Sequence, residues 1–102
     1  MAVAFVCLLQ IHLHLPDNGS LKGKRKELLS VKAHLRQRFG AAVAETEHHD
    51  LWQRATITAA LVGREPGGVS ETAAGVQRYL QARFPDGVRV EHALLSAEEV
   101  LG

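Results

Sequence analysis

Val3-Ala4-Phe5-Val6-Cys7-Leu8-Leu9-Gln10-Ile11-His12-Leu13-His14-Leu15 opens the chain with a two-residue alternation. Phe5, Cys7, Leu9, Ile11, Leu13 and Leu15 share one face, while Gln10, His12 and His14 lie on the other. A period of two is that of a strand buried on one side only. Pro16-Asp17-Asn18-Gly19 closes it with turn residues.

Outward from this strand the period changes. Ser20 predicts an N-cap, and a helix runs from it to about Phe39 with an apolar stripe of Leu21, Leu28, Val31, Leu35 and Phe39. Gly40 supplies its C-cap. Ala41 to about His48 and Arg54 to Val62 read as two strands, although the sequence leaves the two faces of the former unassigned. Pro66-Gly67-Gly68 breaks the chain before a second helix with Val69, Ala73, Val76, Leu80 and Phe84 as its stripe. Pro85-Asp86-Gly87 ends that helix, and Val88 to about Leu95 forms a last strand.

The order is β-α-β-β-α-β. Right-handed crossovers then put both helices on one face of a four-stranded antiparallel sheet, with strands one and three central. The fold expected is a single α+β domain over residues 1–102, a ferredoxin-like βαββαβ sandwich with one bare sheet face. Strand one gives that face Val6, Leu8, Gln10, His12 and His14; strand three gives it Arg54, Thr56, Thr58, Ala60 and Val62. Antiparallel pairing brings His12 and His14 beside Arg54 and Thr56. The opposite end, with Val6, Leu8, Ala60 and Val62, is apolar and suits a dimer contact.

Composition narrows the class of protein. The chain of 102 residues is 46% hydrophobic and 23% charged, ordinary values for a soluble globular domain. Its longest apolar run, Met1 to Leu9, is too short to span a bilayer and lacks the basic start of a signal peptide. Cys7 is the only cysteine, so no internal disulfide forms and the cytoplasm is the expected compartment. The net charge of +1 conceals a dipolar chain: residues 20–40 hold seven basic side chains and one acid. Such a run is either a solvated helix face or a grip for a polyanion.

The stretch His48-His49-Asp50-Leu51-Trp52-Gln53-Arg54-Ala55 places the only tryptophan among polar and ionisable side chains at a strand junction. A plain hairpin needs none of that chemistry. His12, His14, His48, Asp50, Trp52, Gln53 and Arg54 therefore form a candidate partner or ligand surface. His12-Leu13-His14 is a permissible pair of metal ligands, with a third available from His48, His49 or Asp50. No motif of known ligand spacing accompanies it, so neither metal nor cofactor is expected. Trp52 beside Leu51 reads as a lid over one end of the core, or alternatively as a base-stacking platform. Arg54 needs a carboxylate, Glu45 or Glu47, unless it meets a phosphate.

Ser20-Leu21-Lys22, Lys24-Arg25 and His48-x-Asp50-Leu51-Trp52-Gln53-Arg54-Ala55 together resemble the YlxP-like family of small bacterial proteins, a domain of unknown function. The resemblance covers nearly the whole chain and implies a ferredoxin-like fold. Members are often encoded among transcription and translation factors, including initiation factor two and ribosome-binding factor A; such neighbourhood is associational. Where the family carries an acid, this chain has Gly23, which leaves the first helical turn without a capping box and more basic.

Two functions follow as expectations. In the first, the protein is a non-enzymatic RNA- or ribosome-associated module that grips phosphates with Lys22, Lys24, Arg25, Lys26 and Arg54 at the positive end of the first helix. In the second, it dimerises or senses a small ligand through the open sheet. The sequence holds no Gly-rich phosphate loop and no nucleophile elbow, so an enzyme is not expected.

Overall fold

The computed structural model describes residues 3–102; Met1 and Ala2, which begin the apolar run noted above, lie outside them. The elements in chain order are β1 (Phe5–His14), α1 (Leu21–Phe39), β2 (Ala42–Glu47), β3 (Arg54–Gly63), α2 (Pro66–Arg83), β4 (Val88–Ser96) and α3 (Ala97–Leu101). The sheet order is β2-β3-β1-β4 with every pair antiparallel, which is the ferredoxin-like arrangement.

The alternation of β1 decides the layers. Cys7, Leu9, Ile11, Leu13 and Leu15 are buried against Leu28, Val31 and Leu35 of α1 and Val69, Ala73, Val76 and Leu80 of α2. Ala55, Ile57, Ala59 and Leu61 of β3 complete the core. Burying a leucine or isoleucine of this kind contributes roughly 1.5–3 kcal/mol, so the period-two pattern is strongly enforced. Cys7 is part of this packing, and burial pushes its thiol above the ordinary value. A buried, protonated thiol is chemically quiet.

The ends of α1 follow their caps. Ser20 accepts from the Gly23 amide through its hydroxyl at 3.0 Å, and Gly40 closes the helix at φ +66°, donating to the Arg36 carbonyl. Two expectations need correction. The Pro66-Gly67-Gly68 break is itself the first turn of α2: Pro66 follows the Glu65 cap, where a missing N–H costs nothing. Residues beyond β4 form α3, which the sequence reading omitted. Ser96-Ala97-Glu98-Glu99 carries the S-x-x-E pattern that precedes helices and could have revealed it.

The faces of β2 are now assigned. Val43 and Glu45 point toward the helices, and a bulge between Glu45 and Glu47 shifts the register by one residue. That shift leaves the Thr46 hydroxyl 2.9 Å from that of Thr58, on the open face. Across β1, His12 lies opposite Thr56 and His14 opposite Arg54, as the antiparallel order requires.

Gly87 fixes the end of the β1–β4 ladder that carries the histidines. His14 donates its amide to the Gly87 carbonyl at 2.8 Å, and a Cβ on Gly87 would overlap the His14 carbonyl oxygen. The obstacle is backbone, which cannot swing away. Gly87→Ala is expected to destabilise the protein by about 2 kcal/mol in urea unfolding, through displaced pairing rather than a lost contact. Unchanged stability would show that the ladder end yields freely.

Candidate functional site

Lys24 does not belong to a phosphate-gripping set. Its side chain is 2% exposed, and its ammonium stands 3.0 Å from the Glu45 carboxylate, itself 18% exposed. The same ammonium donates to the His48 carbonyl. Helical spacing explains the burial. The apolar stripe has a seven-residue gap between Leu21 and Leu28, and position 24 lies in that gap, three and four residues from its ends. Glu45 lies likewise on the inner face of β2. Two charges on core-facing positions neutralise one another, as burial demands.

This pair organises the junction between β2 and β3. His48 adopts φ +66°, the left-handed region that a side chain enters at a cost of roughly 1 kcal/mol. Its carbonyl also accepts the Leu51 amide at 3.1 Å, and His49 Nε2 is 3.1 Å from the Glu45 carbonyl oxygen. From the other side, Asn18 donates through Nδ2 to the carbonyls of both Ser20 and Trp52. Gln53 donates to the Pro16 carbonyl at 3.2 Å, and its own carbonyl accepts from Leu15 at 2.8 Å. The junction is thus pinned by backbone bonds at both ends, and the amide of Gln53 is spent on this scaffold.

The pinning turns two side chains outward. Leu51 is 46% exposed and Trp52 is 53% exposed, so Trp52 is no lid over the core. Arg54 is exposed as well, and neither expected carboxylate holds it: Glu45 faces Lys24, and Glu47 stands 3.6 Å from His48. Among the described residues Arg54 makes no ion pair.

The imidazoles come together only in part. His12 bridges three strands, with Nδ1 3.1 Å from the Thr56 hydroxyl and Nε2 2.7 Å from the Glu91 carboxylate. Its ring covers Thr56, which is 1% exposed although it lies on the uncovered face. The hydrogen bond from His12 and the Arg89 guanidinium hold the Glu91 carboxyl below its ordinary range. The stabilisation this gives is present above the ordinary carboxylate value and fades as pH falls through the lowered one. His14 and Asp50 are exposed. A cleft of about 390 Å³ opens among His12, His14, His48, Arg54 and Arg89, with Glu47 and Asp86 also on its wall. Among the described residues no three His, Cys, Asp or Glu side chains stand close enough together to hold a metal ion.

A second cleft, of about 510 Å³, escaped the sequence reading. It lies between the turn after β1 and the end of α2, with Asp17, Asn18, Glu27, Arg83 and Phe84 on its wall. Arg83 is committed there to Glu27 at 3.1 Å. A Cβ on Gly23 would collide with the Asn18 amide oxygen, so the Asn18 bridge occupies the space of a side chain.

Breaking the buried pair on one side leaves an uncompensated charge. Lys24→Met is expected to cost about 3 kcal/mol, and the double variant Lys24→Met, Glu45→Leu to recover most of that loss. Amide exchange at Leu51 should stay fast in the double variant, because the His48 carbonyl has lost its tether. Full protection of Leu51 there would show that the loop does not depend on Lys24.

Comparisons agree with the architecture and stop short of an activity. The designed protein Foldit4 superposes with a TM-score of 0.59 at 8% identity, covering 90% of this chain and 96% of that one. SnoaB, a cofactor-independent oxygenase from Streptomyces nogalater, superposes with a TM-score of 0.50 at 14% identity, covering 91% and 92%. At such identities the likeness is one of fold alone. No curated protein matches the chain. No helix among the described residues is long and apolar enough to cross a membrane. The sequence model of one family matches residues 6–92, a span that takes in both the Lys22–Lys26 segment and the pinned junction, and the chain belongs to that family, the proteins of unknown function DUF503.

Proposed function

We propose that this protein is a non-enzymatic RNA-binding module of the cytoplasm, acting on RNA or a ribosomal subunit through the outer face of α1. The observation that carries the reading is the state of Lys22, Arg25 and Lys26. All three are exposed, and among the described residues none of them makes an ion pair. The first turn of α1 holds no acid. Spacings of three and four residues gather these cations on one side of the helix, opposite the stripe that takes in Lys24. Cations that the fold leaves unpaired are available to phosphates, whose contacts are sequence-independent and salt-sensitive. Arg54, also without an ion pair among the described residues, is a separate cation in the cleft on the open sheet face. The likeness of both motifs to YlxP-like proteins, encoded among translation factors, supports the same reading.

Removing Lys22, Arg25 and Lys26 together should abolish salt-sensitive RNA binding without unfolding the protein. Each lost contact should flatten the single-strand salt slope by about 0.7. Arg54→Ala should weaken binding while changing stability by less than about 0.5 kcal/mol. The measurement is co-sedimentation with ribosomal subunits, and titration of RNA, across a salt series. Wild-type protein that binds neither at low salt would end the proposal.

A second reading rests on the far end of the open sheet. Leu8 is 41%, Val62 72% and Leu95 37% exposed, and the ladder sets Val6 opposite both Val62 and Leu95. These residues with Ala60 and Ala93 make one apolar area that a second copy of the chain would cover. Sedimentation equilibrium should then give a dimer, and Leu8→Glu a monomer of unchanged fold. A wild-type monomer at the highest soluble concentration would remove this reading.

A further inference from the structure

We propose that Trp52 is a stacking ledge for one unpaired base of single-stranded RNA, an inference that rests on the phosphate-binding role of α1 given above. Three observations support it. The indole is 53% exposed, and among the described residues no aromatic ring or guanidinium packs on it. Its backbone is held from both sides, by Asn18 on the Trp52 carbonyl and by Leu15 on the Gln53 carbonyl. The ledge also adjoins the basic helix. The Asn18 amide that holds the Trp52 carbonyl holds the Ser20 carbonyl too, at the cap of α1, two residues before Lys22.

These features suit one kind of ligand. A large aromatic left in water forgoes its burial free energy, and a pinned loop loses little entropy when something stacks on it. Every base offers a π-face, so stacking tolerates any sequence, which matches a grip that reads phosphates and not base edges. A base inside a duplex has both faces taken by its neighbours, so a fixed ledge discriminates for single strands. The backbone contacts fall to the unpaired cations Lys22, Arg25 and Lys26 at the start of the helix that the ledge adjoins. The central strands of the sheet carry His, Gln, Arg and Thr on its open face, and no Phe, Tyr or Trp there.

Trp52 is the only tryptophan, so its emission reports directly on the ledge. Full-length protein is titrated at low salt with oligoadenylate and with a duplex RNA of equal length. The expected result is quenching of Trp52 by oligoadenylate alone. Trp52→Ala should weaken oligoadenylate binding by roughly ten-fold or more, Trp52→Phe by less, and duplex binding should not change in either. Urea unfolding of Trp52→Ala confirms that the fold is retained. RNA binding with unchanged emission, and with Trp52→Ala equal to wild type, would overturn the ledge and leave the phosphate reading standing. Equal losses for single and double strands would overturn it as well, as would crosslinks showing that Trp52 meets a ribosomal protein instead of RNA. Failure to bind any RNA would remove the α1 reading and the ledge together.

Discussion

An ammonium withdrawn from water needs an opposite charge and hydrogen-bond acceptors within a few ångströms, and Lys24 obtains both from a single segment. Glu45 gives the charge and His48 the carbonyl. The first helix is thereby bound to the end of β2 and to the first residue of the junction. Much of the candidate site follows from this constraint. His48 enters the left-handed region with its carbonyl held, the chain reverses, and Leu51 and Trp52 emerge on the outside. An apolar pair of similar volume would pack as well or better, but it would leave the His48 carbonyl with the Leu51 amide alone and no tie to α1. The charges are kept, on this argument, for the conformation they specify.

The same segment of α1 therefore serves two ends. Lys24 faces inward with Leu28, Val31 and Leu35, while Lys22, Arg25 and Lys26 face outward, because successive helical residues are about 100° apart, which sets position 24 across from the arc of 22, 25 and 26. One motif supplies the bolt and the other the plate it holds. The two motifs meet in space through this one side chain, whatever the outer cations bind.

The fold was legible because its signals are periodic. The alternation of β1, the caps of α1 and the turn after α2 each depend on local chemistry that acts over a few residues. The site was legible as a list and not as an arrangement. Lys24 was assigned by its charge, although its place in the stripe gap was the stronger signal. For Arg54 the sequence offered Glu45 or Glu47 and, as the alternative, a phosphate; Glu45 is taken by Lys24, whose proximity arises only on folding, and Glu47 stands beside its sequence neighbour His48. The outward turn of Trp52 depends on Asn18, Gln53 and Lys24 bonding to carbonyls, and backbone acceptors leave no mark in a sequence. The faces of β2 were hidden by a bulge, which breaks the period that would have assigned them. Position 66 failed for a different reason: proline marks a helix start as well as a break, and only the residues around it decide.

The histidines show why a cluster of reactive side chains is not yet a reactive site. His12 has both ring nitrogens engaged, one by Thr56 of β3 and one by Glu91 of β4, so it braces the three strands on the face opposite the core. His49 is turned back onto the Glu45 backbone. His14 stays exposed, opposite Arg54 across the ladder. The polar end of the sheet is therefore wired largely into itself, and its cleft mixes guanidinium and imidazole groups with the carboxylates of Glu47 and Asp86. The opposite charges on this wall partly offset one another. Among the described residues Arg54 is the guanidinium of that cleft with no ion pair, further unpaired cations lie along the outer side of α1, and Trp52 offers uncovered aromatic surface. A ligand that needs phosphate contacts and a stacking face together finds both where the pinned junction meets the first helix.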